Sequence, residues 1–353
     1  MHRGDGGGTC RSFPGGRGVA ALWSLVRPRR TRLLSLWLAV VVVLGCGEGS
    51  LGPGDVLTSP EHDRKYGIYA LNPASGAVRL IYSSDNPLQR MDLDGAGARL
   101  VFEEDFGGDL FHGAEICVMD TGGAVCRRLT DNSWLDAYPC WSPDGRAIMF
   151  LSWPDYPANT MDIYVMDAEG GAREEFYDSG FHDGDCDWVG SQVVFTRESR
   201  IWIMESDGTD VRQVTDYDLA GYQGNADLPF GDYDPRLNPS GTLICFDRMV
   251  DDRTRSGNYD FYSIVPDGTE ETALTGTGWQ QFMAEWSHGG DRLLFTVAAA
   301  DGEGIYDMYV INADGTGATD ITPAAWPPEF LCTHGIFSSD DSTIYFTGEW
   351  YKD

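Results

Sequence analysis

Trp141-Ser142-Pro143-Asp144-Gly145 turns the chain into a strand that ends on Phe150, and Ile163-Tyr164-Val165-Met166-Asp167 then alternates into a second turn. Both halves of this unit recur. The second half returns as Ile68-Tyr69-Ala70-Leu71-Asn72, Ile116-Cys117-Val118-Met119-Asp120, Ile201-Trp202-Ile203-Met204-Glu205, Phe261-Tyr262-Ser263-Ile264-Val265 and Met308-Tyr309-Val310-Ile311-Asn312. Each copy meets a glycine soon after (Gly76, Gly123, Gly170, Gly208, Gly268, Gly315), as a tight hairpin needs where φ turns positive. The following strand often closes on Leu129-Thr130, Val214-Thr215, Leu274-Thr275 or Ile321-Thr322. The first half returns with Leu93 before Phe102, Leu237 before Phe246, Trp286 before Phe295 and Phe337 before Phe346, and in a shorter form with Trp188 before Phe195. Each pattern therefore occurs six times. Alternation at period two between regularly spaced turns specifies short antiparallel strands. Six four-strand units specify an all-β fold, a six-bladed β-propeller. The phase is offset: the chain starts on an outer strand pair and ends on an inner pair near Phe346. Pairing the N-terminal strands with the last ones would complete the sixth blade and remove two open edges.

The propeller is expected over residues 65–353. Ahead of it, Arg27, Arg29, Arg30 and Arg32 precede an apolar run from Leu33 to Leu44 that is broken only by Ser35. A basic segment, a short apolar stretch and a small residue before the cut describe a secretory signal, and the run is too short for a membrane span of ~20 residues. Val43-Leu44-Gly45-Cys46 resembles a bacterial lipobox. Residues 1–46 thus read as a signal peptide with Cys46 as the lipidated mature N-terminus; ordinary cleavage leaving a free Cys46 is the alternative. Residues 47–64, rich in Gly, Pro and Ser, read as a flexible tether. This places the mature chain in the bacterial cell envelope, on the periplasmic or outer-membrane side, touching membrane only through its lipid.

The net charge is −30, and the first 46 residues hold seven of the 25 basic groups but one of the 55 acids, so the remainder is more acidic still. Such a surface repels nucleic acid and attracts cations and basic partners. The Trp-Ser-Pro-Asp-Gly turn, the Ile-Tyr-Val-Met-Asp strand and the Asp-Gly/Leu-Thr hairpins resemble the propeller repeats of TolB, also found in propellers attached to peptidases and in oligogalacturonate lyases. The resemblance spans about residues 66–350 and implies fold more than function, because these repeats carry binding modules and enzymes alike. The expected signal, tether and propeller leave no room for TolB's additional N-terminal domain, so the resemblance does not imply TolB's role in its envelope machinery.

Propeller connectivity puts the Ser-Pro-Asp-Gly and Asp-Gly turns on one face and the longer connections on the other, where function concentrates on loops held by a rigid scaffold. Counted back from the Trp position, the approaches to the inner strands carry a run of acids. Asp183, Asp185 and Asp187 belong to the third repeat, and Asp232 and Asp234 to the fourth. Clustered carboxylates of this kind suit a hard cation such as Ca2+, or the ammonium group of a ligand; acids are also abundant throughout. Trp134, Tyr222, Phe230, Trp279 and Trp326 decorate the same face and offer contact area for a peptide, a protein or an oligosaccharide. His334 joins them, while His112 and His182 approach from other blades. The lyase resemblance implies a histidine-based metal site, which these positions are badly spread to form. No Gly-x-Ser-x-Gly elbow, His-Glu-x-x-His helix, P-loop or EF-hand is present. Cys117 and Cys126 flank one hairpin and face each other only in a two-residue-turn register. The expected function is a monomeric binding protein acting through its long-loop face. A metal-dependent lyase or hydrolase of carbohydrates at the channel mouth is the alternative.

Overall fold

The computed structural model describes residues 63–107, 113–154, 159–253, 257–276, 280–298, 306–323 and 330–352. Their strands form six four-stranded antiparallel sheets, with no helix among the described residues. We number the blades I to VI by their inner strands: Leu88–Leu93, Leu135–Trp141, Asp183–Val189, Asp232–Leu237, Gln280–Trp286 and Leu331–Phe337. Inner strands of neighbouring blades touch in an unbroken cycle from I to VI and back to I. Blade VI pairs Leu331–Phe337 and Ile344–Lys352 from the end of the chain with Asp63–Asn72 and Ala77–Ser84 from its start. The joining ladder runs from Asp63 opposite Lys352 to Leu71 opposite Ile344. The offset expected from the sequence is the closure observed.

The repeat residues have physical jobs. The six equivalent phenylalanines, Phe102, Phe150, Phe195, Phe246, Phe295 and Phe346, are all at most 1% exposed, so the repeat is first a packing rule. In the first hairpin the residue after the Trp position closes the turn with its side chain. Ser142 Oγ accepts from Ala147 N at 2.9 Å, Ser287 Oγ from Arg292 N at 3.0 Å and Ser338 Oγ from Thr343 N at 3.0 Å. Asp94 and Asn238 do the same with carboxylate and amide oxygens. The closing threonines reach back to the third strand, where Ile116 N, Ile201 N, Phe261 N and Met308 N donate to Thr130, Thr215, Thr275 and Thr322 Oγ1 at 2.8–3.0 Å. That hydroxyl satisfies an N–H which the short outer strands leave unpaired. The Cys117 hairpin does not adopt the two-residue-turn register that would set its cysteines opposite each other. Cys126 lies opposite Met119 and Cys117 opposite Arg128, so the two cysteines are displaced by two positions on one face, as free thiols.

Candidate functional site

In blades I to V the inner strand carries a bulge at the same place, three residues before the Trp position, and in blade VI one residue earlier, at Thr333. In blades I to V the residue there has a left-handed backbone: Arg90 (φ 20°), Tyr138 (55°), Asp185 (51°), Asp234 (50°) and Met283 (60°). A non-glycine residue in this region costs on the order of 1 kcal/mol. Five at one repeat position mark a feature built into the fold. A bulge re-aims a side chain, and here it turns these residues to the propeller axis. Arg90 of blade I crosses the channel to an ion pair with Asp234 of blade IV, its opposite in the ring. The Tyr138 ring lies 4.5 Å from the guanidinium, and Asp234 N donates to Asp185 Oδ2 at 3.4 Å. From the second strands, Glu103 accepts from Tyr138 N and Asp247 from Met283 N, both at 3.3 Å. The channel is thus plugged by an arginine. Beside the plug, Arg90, Asp92, Tyr138, Cys140, Cys186 and Asp187 help line a cavity of about 20 Å³, room for one water. Arg90 Nε and Nη1, the Tyr138 hydroxyl and Asp247 Oδ1 are buried here with no protein partner.

One layer below, Asp92 Oδ2 accepts from Trp141 N at 2.7 Å and Asp187 Oδ2 from Leu237 N at 2.8 Å, each tying a blade to the next. Glu285 accepts from Arg236 Nε at 2.5 Å and meets His334 Nε2 at 3.2 Å, while His334 Nδ1 accepts from Met91 N at 3.2 Å. His334 is therefore the neutral Nε2–H tautomer, and burial holds its pKa down.

One layer above, toward the long-loop face, each aspartate has an arginine of its own blade. Arg173 binds Asp136 with two contacts of 2.9 Å, Arg197 Nε lies 2.7 Å from Asp183, and Arg248 grips Asp232 at 2.5 and 2.9 Å. Every one of these guanidiniums is stacked in aromatic rings. Trp134 lies 4.8 Å from Arg173, Trp202 4.7 Å from Arg197, and Tyr217 and Tyr262 4.5 Å from Arg248.

The five aspartates singled out from the sequence therefore divide among three tasks and do not converge. Asp183 and Asp232 neutralise buried arginines, Asp185 and Asp234 surround the axial plug, and Asp187 joins blades. Among the described residues no three His, Cys, Asp or Glu side chains come together as a metal ion would require. Nor do the histidines fit the metal site that the lyase resemblance implies. Both ring nitrogens of His334 are engaged. His182 Nδ1 accepts from Met161 N at 3.0 Å, its ring packed 4.6 Å from Trp153. His112 lies outside the described residues, as do Cys46, Trp279 and Trp326. Of the remaining aromatics, Trp134 is committed to Arg173, and Phe230 is buried in a loop core with Ala226, Leu228, Tyr233, Met249 and Tyr259. Tyr222 stands 64% exposed above Phe230. With Phe106, Phe181 and Leu219 it makes four of the six large exposed apolar side chains among the described residues, all on the long-loop face.

Sequence reading missed Arg90, Tyr138, Glu103, Asp247 and Arg236 as the centre of the channel. Aligning the six repeats on the phenylalanine shows the signal: the next residue is Glu103, Leu151, Thr196, Asp247, Thr296 and Thr347, two acids where the other blades carry Thr or Leu.

No family model matches the chain. The putative TolB of Agrobacterium tumefaciens superposes with a TM-score of 0.60 over 82% of this chain and 99% of its own, at 13% identity. The fold is that of a TolB-like propeller. TolB from Acinetobacter baumannii follows at 0.55, 14% identity, over 83% of this chain and 65% of its own. An oligogalacturonate lyase of Vibrio parahaemolyticus reaches 0.50 at 13% identity, over 80% and 83%. An uncharacterised protein of Agrobacterium fabrum is 28% identical over 198 residues, 52% of this chain and 62% of its own. This chain thus spans about three fifths of that relative's length. At such identities the structural likeness fixes the fold alone.

The TolB-like channel gives a pH dependence of definite sign. Burial raises Asp92 and Glu103 to about 7 and Asp185 and Asp187 to about 6. Asp247 is pushed well above the carboxylate range by burial and then by Asp234. Carboxyls raised in the folded state bind more protons folded than unfolded between about pH 4 and 7. Their stabilisation is complete below the unfolded pKa and is lost as pH rises through 6 to 7. His334 and His182, both lowered, work the other way but are fewer. The melting temperature should therefore be higher at pH 5.0 than at pH 7.5. A flat profile, or one rising with pH, would show that the axial carboxyls are ionised without penalty.

Proposed function

We propose that the mature chain is a monomeric cell-envelope lipoprotein, anchored through Cys46, that binds a peptide, protein or oligosaccharide on the long-loop face of its propeller. The observation that carries this reading is the contrast between the two environments on that side. The charged groups around the channel are buried, most of them bound to one another or to backbone N–H groups, and Arg90 pairs across the axis with Asp234. Phe181, Leu219 and Tyr222 instead stand exposed on loops above it, beside Phe106, which is stacked under Arg128. Exposed rings on ordered loops give contact area at little entropic cost. The acidic charge favours a ligand or partner with basic groups at its rim.

The arrangement gives less support to the carbohydrate-lyase reading. β-Elimination needs a base free to take a proton, and His334 and the channel carboxyls are buried in fixed partnerships. A thermal-shift screen against short basic peptides and oligosaccharides, oligogalacturonates included, is expected to find ligands that raise the melting temperature and are recovered unchanged. Appearance of an unsaturated product absorbing in the ultraviolet would move the protein to the lyase class. Replacing Cys46 with Ala should release the chain from the membrane fraction and abolish labelling with a fatty-acid analogue.

A further inference from the structure

At the junctions from blade I to II and from III to IV, the residue just before the Trp position staples the blades through its carboxylate: Asp92 to Trp141 N, Asp187 to Leu237 N. The facing residue on the next inner strand, two before its Trp position, is Pro139 or Pro235. The junction from II to III carries neither residue, as do those from IV to V (Arg236, Ala284) and from VI to I (Ile336, Met91), but it alone has a cysteine at both positions. Cys140 stands where the aspartate should be, and Cys186 where the proline should be. Trp188 N, the donor such an aspartate would have met, turns instead to the neighbouring Asp187 Oδ1 at 2.9 Å. Both cysteines are buried, at 4% and 2% exposure, and both line the water-sized cavity beside the axis. They sit on facing inner strands of adjacent blades, and Cys186 Sγ lies 3.6 Å from Tyr138 O, two residues from Cys140. All six described cysteines stand as free thiols in this structure, and Cys245 and Cys332, equally buried, lie on blades IV and VI.

We propose that Cys140 and Cys186 are a disulfide site, a covalent staple that joins blades II and III where the carboxylate staple is missing. The oxidant is a protein or small-molecule disulfide. Two thiols lose their protons, two electrons reduce the oxidant's S–S bond to two thiols, and one Sγ–Sγ bond forms across the junction. Contact with Cys186 and burial push the Cys140 thiol well up, so the reactive thiolate is scarce once the blades have closed. The bond therefore forms while the chain folds and resists reduction afterwards.

Refolding the full chain in a glutathione redox buffer, alkylating under denaturing conditions and digesting with trypsin tests this without any substitution. Peptides 129–146 and 174–197 each contain one cysteine, Cys140 and Cys186. They are expected as one cross-linked species that separates on reduction. The reduced wild type should melt about 5–10 °C below the oxidised one, and Cys140→Ser and Cys186→Ser should each remove that difference. Recovery of both peptides alkylated after oxidative refolding would overturn the proposal, as would pairing of either cysteine with a third one. The same holds if a Cys140→Ser variant kept the full redox shift.

Discussion

A chain lacking residues 66–83 is expected to lose cooperative unfolding and to aggregate at micromolar concentration. These residues supply both outer strands of blade VI, and Ile68 and Leu71, 0% and 1% exposed, belong to the core shared with Phe102, Phe337 and Phe346. Without them, the final strand Ile344–Lys352 becomes an open edge over the whole length of its ladder with Asp63–Asn72. The loss combines buried apolar side chains, each about 1.5–3 kcal/mol, with unsatisfied backbone groups on a long edge, together comparable to the entire stability of a domain. Circular dichroism and size-exclusion chromatography read the outcome. A truncated chain that stayed monomeric and melted cooperatively near the wild type would mean that the ring is not closed by its own N-terminus.

Replacing Arg248 with Ala should cost ~3–5 kcal/mol, about 6–15 °C of melting temperature. The substitution strands Asp232, fully buried, without its two contacts, and frees Glu271 from contacts of 2.6 and 2.9 Å. It also empties the space between Tyr217 and Tyr262. Arg248→Lys should fall in between, since an ammonium keeps the charge but not the planar fork held by two carboxylates. Combining Arg248→Met with Asp232→Asn should recover part of the loss, because what destabilises is a buried charge without its partner. Denaturant melts of the four proteins distinguish this from a simple loss of bulk. If the double variant were as unstable as Arg248→Ala with Asp232 intact, packing and not charge would set the cost.

Much of the fold was legible because its determinants are local and repeated. The alternating strands, the Ser-Pro-Asp-Gly turns, the Leu-Thr closures and the six phenylalanines each act within one hairpin, and the repeat multiplies a weak signal into a decisive one. The candidate site was legible only in part, for identifiable reasons. Asp183, Asp185 and Asp187 look alike in sequence, yet a bulge at Asp185 separates their directions, so neighbours two residues apart serve different layers. Asp183 and Asp232 lose their apparent availability to Arg197 and Arg248, on the adjacent strand of each blade. Trp134 looked like a ligand platform, but Arg173, which it covers, comes from the turn before the outer strand Glu174–Tyr177, far along the chain. Arg90 reveals its role only when ring closure sets blade I opposite blade IV, a relation between residues 90 and 234 that no local pattern encodes.

The claim that binding belongs to the long-loop face is tested most directly on an array of short basic peptides and oligosaccharides probed with three proteins. These are the wild type, the Phe181→Ala, Tyr222→Ala double variant, and Val125→Ala, which removes an exposed apolar side chain from the short-turn face. The ligands retained by the wild type should bind the double variant at least ~10-fold more weakly, the loss expected when contact aromatics worth about 1.4 kcal/mol or more are truncated. They should bind Val125→Ala unchanged. Retention undiminished in the double variant, or lost in Val125→Ala, would contradict the account.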